Sequence, residues 1–145
     1  MSIGTIICRH NGQYIETISD VDLQPGLLVM PTTDTTDVGN LGLKIVPNTS
    51  TILLGCWVVM SRVYGDAEQE NILDHPVYAA GELVRLAILC GGSSAYIRSD
   101  DATLITGSYL NTDAVNPGYV VTNPTFFRLV AVDNYADGFI KALCV

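Results

Sequence analysis

Reactive side chains are sparse in this 145-residue chain, and their spacing argues against catalysis. The two histidines, His10 and His75, sit in unrelated contexts, one beside Arg9 and Asn11 and the other before Pro76. Neither an HExxH nor an HxH spacing occurs, so a histidine-held metal has no local signature. Carboxylates group at Asp34 with Asp37, at Asp66 with Glu68 and Glu70, and at Asp100 with Asp101. Two-carboxylate hydrolysis needs its acids in different environments. These acids stand beside Gly, Ser and Thr, as solvated loop acids do. A calcium-type loop is the alternative, although the EF-hand pattern is absent. Ser93-Ser94 follows Gly91-Gly92 and could cradle phosphate, but the P-loop lysine is missing and a flexible turn is expected. No GxSxG elbow is present.

The remaining reactive groups are Cys8, Cys56, Cys90 and Cys144. They form no CxxC pair, so a zinc site lacks its usual spacing. Cys8, Cys90 and Cys144 stand beside apolar residues, which predicts buried free thiols in a reducing cytoplasm. A Cys8–Cys144 disulfide joining the ends of the chain is the other reading. Trp57 and the tyrosines could stack on a sugar. However, Trp57 lies inside the most apolar run, where core packing is expected. No enzyme, metal or cofactor follows from these residues.

Composition narrows the class. The chain is 48% hydrophobic and 15% charged, against about 25% charged in an average globular protein. Seven basic residues face 15 acidic ones, a net charge of −8. That balance is unsuited to nucleic acid or to an anionic membrane surface. The longest apolar stretch, residues 52–60, falls far short of the roughly 20 residues a spanning helix needs. Nothing near residue 8 has the form of a cleaved signal. The length fits one domain with a core of its own.

The elements that must position these side chains read as strands. Thirteen glycines and six prolines interrupt the chain too often for helices of average length. Between them lie runs rich in β-branched and aromatic residues at 27–30, 41–46, 52–63, 83–89, 95–98, 103–106, 119–122, 126–132 and 139–145. Ser99-Asp100-Asp101 reads as a hairpin turn between two of these runs, and residues 133–138 as a hairpin loop. Residues 13–24 fit neither period, and a single helical turn could form within 66–75. A glycine turn launching an apolar strand recurs at Pro25-Gly26-Leu27-Leu28-Val29, Ala80-Gly81-Glu82-Leu83-Val84, Thr106-Gly107-Ser108-Tyr109-Leu110 and Pro117-Gly118-Tyr119-Val120. Glycine there supplies the positive φ of the turn. The pattern predicts an all-β fold, a small antiparallel β-barrel or β-sandwich with room for one short helix.

The order of these motifs resembles the small decoration, or cement, proteins of tailed-phage heads. Asp22-Leu23-Gln24-Pro25-Gly26-Leu27-Leu28-Val29 is similar to the family's opening proline-glycine strand. Val77-Tyr78-Ala79-Ala80-Gly81-Glu82-Leu83-Val84-Arg85 resembles its central strand. Ile105-Thr106-Gly107-Ser108-Tyr109-Leu110 looks like the following turn, with Gly118-Tyr119-Val120 after it. Leu129-Val130-Ala131-Val132-Asp133 and Phe139-Ile140-Lys141-Ala142-Leu143 look like the paired closing strands. Ser108 replaces a usual acid, and Gly91-Gly92 replaces a proline-glycine pair.

The resemblance spans residues 20–145 and implies a single β domain without catalytic residues. It further implies binding to the major capsid protein on the outer surface of the head, often as a homotrimer. The protein would be made in the bacterial cytoplasm and end on the virion. Residues 1–19 lie outside the resemblance and read either as an arm or as a first strand. Ile3, Ile6, Ile7 and Ile15 are the expected capsid or subunit contacts, since such residues are unfavourable in solvent. Two other readings stand beside this one. They are a carbohydrate-binding or adhesion module of a virion, and a small trimeric all-β enzyme whose motifs are missing here.

Overall fold

The computed structural model describes residues 6–9, 13–36, 38–39, 42–49, 56–60, 77–113, 115–123, 128–135 and 138–145. Among them are eleven strands and no helix. The strands are β1 (Ile7–Arg9), β2 (Gln13–Ile18), β3 (Leu28–Pro31), β4 (Ile45–Pro47), β5 (Trp57–Val59) and β6 (Leu83–Ile88). They continue with β7 (Ser94–Arg98), β8 (Tyr109–Thr112), β9 (Val120–Thr122), β10 (Leu129–Tyr135) and β11 (Phe139–Cys144). One sheet has the order β1-β7-β11-β10-β8-β9 and the other β2-β6-β5-β3-β4. Every pairing is antiparallel. Among the described residues neither sheet closes on itself, so the all-β fold they form is a sandwich and not a barrel.

The sandwich follows from where the apolar side chains point. Leu28, Val58 and Ala87 of the five-stranded sheet share one buried cluster with Ala95, Ile97, Leu110, Leu129, Ile140 and Ala142 of the six-stranded sheet. These are alternate positions along each strand, as a two-layer core requires. The five-stranded sheet is apolar on its other face as well. Val29, Val59, Val84 and Leu86 pack there with Leu23 and Tyr78. Leu23 and Tyr78 exchange two backbone hydrogen bonds of 2.9 Å, laying a bridge over that face. A strand covered on both faces has no polar side, which explains the unbroken apolar run around Trp57.

One turn recurs throughout the fold. Gly26, Gly81, Gly92, Gly107 and Gly118 have φ of 89°, 84°, 91°, 93° and 84°. In each case the residue after the glycine donates its N–H to the carbonyl three residues earlier, over 2.9–3.4 Å. This is a type II turn, whose third residue needs φ near about +80°. A strand begins two residues after each of these glycines. Each glycine N–H also donates across the fold, to Val59, Ser19, Cys144, Ala131 and Asn48 respectively, at 2.8–2.9 Å. The turn therefore reverses the chain and fixes the start of the next strand against a distant segment.

Several sequence expectations change. Residues 103–106 are not a strand, and β7 pairs with β1 and β11 instead of a hairpin partner. The reason is that Asp101 turns back onto Thr103, accepting its N–H at 2.9 Å and its hydroxyl at 2.6 Å, which curls the backbone. Gly92 joins the set of strand-launching turns, where the sequence suggests only a flexible turn. Residues 13–18, of unclear period, form β2 at the edge of the five-stranded sheet. The short helix considered within 66–75 lies outside the described residues.

The glycine turns predict a graded mutant series. A methyl group on Gly81 or Gly107 meets nothing within 4 Å, whereas on Gly118 it lies 3.0 Å from the Leu28 carbonyl oxygen. On Gly26 it lies 2.9 Å from the Phe139 ring. Gly81→Ala and Gly107→Ala should each cost about 1–2 kcal/mol from the left-handed backbone alone. Gly26→Ala and Gly118→Ala should lose a further ~1–3 kcal/mol from overpacking. Urea unfolding midpoints of the four variants measure the order.

Candidate functional site

The loop acids are occupied in local structure. Asp34 accepts the Thr36 N–H at 2.8 Å and lies 3.3 Å from the Lys44 ammonium, which also meets Asp20 at 3.0 Å. Asp100 accepts a hydrogen bond from the Asn116 side-chain amide. Asp101 accepts from Thr103, and its other oxygen takes the N–H of Thr122 in β9 at 2.8 Å. The Thr103 side chain, then the Thr122 backbone N–H, holds the Asp101 carboxyl below its ordinary range. These acids staple turns, the role expected of loop carboxylates. Among the described residues no three His, Cys, Asp or Glu come together to hold a metal ion. Asp37, Asp66, Glu68, Glu70, His10 and His75 lie outside the described residues.

The isoleucines expected at a contact surface divide differently. Ile6 is fully buried in the core between the sheets, and its carbonyl accepts the Tyr96 N–H at 2.8 Å. Ile15 is half-buried, packed against the cluster on the far face of the five-stranded sheet. Ile6 is thus taken up by the chain's own core, while Ile15 keeps part of its surface exposed. Ile3 and the side chain of Ile7 lie outside the described residues. The backbone of residues 7–9 and 13–18 forms the edge strands β1 and β2.

A different surface has the composition of a contact. Between Asp101 and Arg128 the only charged residue is Asp113. This stretch contains the β8–β9 hairpin, at the end of the six-stranded sheet. The turn before β8 docks on β10: Gly107 N–H donates to the Ala131 carbonyl at 2.8 Å and the Thr106 hydroxyl to the Val132 carbonyl at 3.2 Å. Around this turn and strand β10, Ile105, Tyr109 and Val132 have 70%, 40% and 39% of their surface exposed. Charge depletion with exposed aromatic and aliphatic groups is the signature of an interface centre. Exposed Tyr14 and Leu83 lie on β2 and β6, where Glu16 and Arg85 pair at 3.2 Å. No spacing motif marks the Ile105 surface, but the long uncharged stretch is visible in the sequence.

The thiols also have a geometry that sequence does not reveal. Cys56, Cys90 and Cys144 are in no disulfide, while the side chain of Cys8 lies outside the described residues. Cys56 and Cys144 are buried, with their sulfurs 3.7 Å apart. Trp57 is half-buried against the apolar cluster, the packing role expected of it. No protein-family profile matches this chain, and no curated protein matches it in sequence.

The acids make one prediction about pH. A carboxyl held below its ordinary value of 3.8 stabilises the fold fully above that value. The contribution is lost as pH falls through the lowered native value. Asp101→Asn should therefore lower the urea midpoint at pH 6 and flatten its decline between pH 5 and pH 2, relative to the parent chain. Chemical unfolding at stepped pH measures both effects.

Proposed function

We propose that this protein decorates the outer surface of an assembled tailed-phage head, where it binds the major capsid protein as a homotrimer and reinforces the shell. The observation that carries this reading is the set of glycine-led turns. The four that resemble the cement-protein motifs, at Gly26, Gly81, Gly107 and Gly118, share one backbone geometry. Each of the four is followed two residues later by a strand.

The physics of the role is compatible with the chain. A ligand that binds only the finished lattice stabilises it by mass action. A trimer on a local three-fold axis engages several capsid subunits, so modest patches combine through effective concentration. The charge-poor surface around the turn before β8, with Ile105, Tyr109 and Val132 exposed, is the one we assign to that contact. A net charge of −8 disfavours binding to the packaged genome. On this reading the protein has no catalytic residue or cofactor. It is made in the bacterial cytoplasm and ends on the outside of the virion.

The test is to add purified protein to mature heads that lack decoration. Saturable binding and a higher temperature of DNA release are expected, and sedimentation of the free protein should give a trimer. Ile105→Asp should weaken attachment by tenfold or more with its melting temperature unchanged. Absence of saturable binding, or binding with no rise in release temperature, overturns the cement role. Full binding by Ile105→Asp overturns only the assigned surface.

A further inference from the structure

We propose that Cys56 and Cys144 are an oxidation site: a latent disulfide that, once formed, staples the two sheets through the core. The placement is tertiary. Cys56 immediately precedes β5 in the five-stranded sheet, and Cys144 ends β11 in the six-stranded sheet. Both belong to the cluster between the sheets, with relative exposures of 1% and 0%. Their sulfurs are 3.7 Å apart although the residues are 88 apart in sequence. A disulfide has sulfurs about 2.05 Å apart, so each sulfur need move by less than about 1 Å, within the sweep of a side-chain rotation.

The surroundings distinguish the two thiols. Cys144 is held below the ordinary thiol range, to about 7, by its hydrogen bond with Cys56 and by the nearby Arg128. The same hydrogen bond and burial push Cys56 up, so it keeps its proton. Either sulfur can attack once deprotonated, and the chemistry balances the same way with Cys144 attacking and Cys56 resolving as with the roles exchanged. With a peroxide as the oxidant, the Cys144 thiolate attacks an oxygen and breaks the O–O bond, giving a sulfenic acid and, after protonation, water. The Cys56 sulfur then displaces the sulfenic hydroxyl, which leaves as a second water with the Cys56 proton. Two electrons pass from the sulfurs to the peroxide, and two thiols become one disulfide. Access to the buried pair comes through local opening of the fold.

The consequence is conditional stability. In a reducing cytoplasm the pair stays as two thiols, and in an oxidising medium it closes. The closed loop is long, so the staple restricts the unfolded chain strongly. This inference concerns the chain itself and stands apart from the capsid role.

The experiment exposes native protein to hydrogen peroxide and maps its peptides without reduction. The expected result is loss of two hydrogens, a peptide joining Cys56 to Cys144, and a melting temperature higher by on the order of 10 °C. Dithiothreitol should reverse all three. A Cys8→Ser, Cys90→Ser double variant should behave like the parent, and Cys56→Ala should lose the cross-link and the shift. The peptide map of the parent chain decides the matter even if Cys56→Ala does not fold. The proposal is overturned by a cross-link that uses Cys8 or Cys90, by oxygen added to separate sulfurs, by a Cys56–Cys144 bond without a rise in melting temperature, or by no change in mass.

Discussion

The turn at Gly26 is the constraint on which the rest of the fold depends. Its N–H donates to Val59 in β5 at 2.9 Å, and its carbonyl accepts from Arg98 in β7 at 3.0 Å, so one residue is bonded to both sheets. The adjoining Pro25 carbonyl accepts the Arg98 side chain at 2.8 Å. The Arg98 guanidinium lies 4.6 Å from the centre of the Phe139 ring, close enough for a cation–π contact. The Phe139 ring in turn fills the space that a side chain at position 26 would need. Glycine is required there twice, for its positive φ and for the close approach.

The neighbouring turn extends the junction. Leu28 N–H donates to Gly118, Gly118 N–H to Asn48, and Asn48 N–H to Leu28, each over 2.9 Å. That closed triangle ties the start of β3 to the segment after β4 and to the turn before β9. The two sheets are therefore held by backbone bonds at one end and by apolar packing in the middle. Backbone bonds of this kind fix register, whereas packing alone tolerates exchange of similar side chains.

The β8–β9 hairpin takes part in that junction through its Gly118 turn. Its strands need only one apolar side chain in two for the core, supplied by Leu110 and Val120. The turn before β8 is anchored by its glycine N–H, which donates to the Ala131 carbonyl at 2.8 Å. The loop acids, by contrast, are tied up in turns: Asp100 accepts from Asn116, and Asp101 from Thr103 and Thr122.

By itself the sequence determined the fold class and the glycine turns, because both are local. Glycine at the third place of a turn and β-branched runs after it have one favourable backbone each, and no distant contact alters that choice. The spacing of Gly26, Gly81, Gly107 and Gly118 was therefore legible residue by residue. Tertiary structure decided which strands pair, that the sheets stay open, and that Ile6 belongs to the core. It also decided that residues 103–106 curl around Asp101 and that Cys56 meets Cys144. Each of these depends on segments far apart in the chain, whose meeting is set by the packing of two whole sheets and by the hydrogen bonds that close around Gly26.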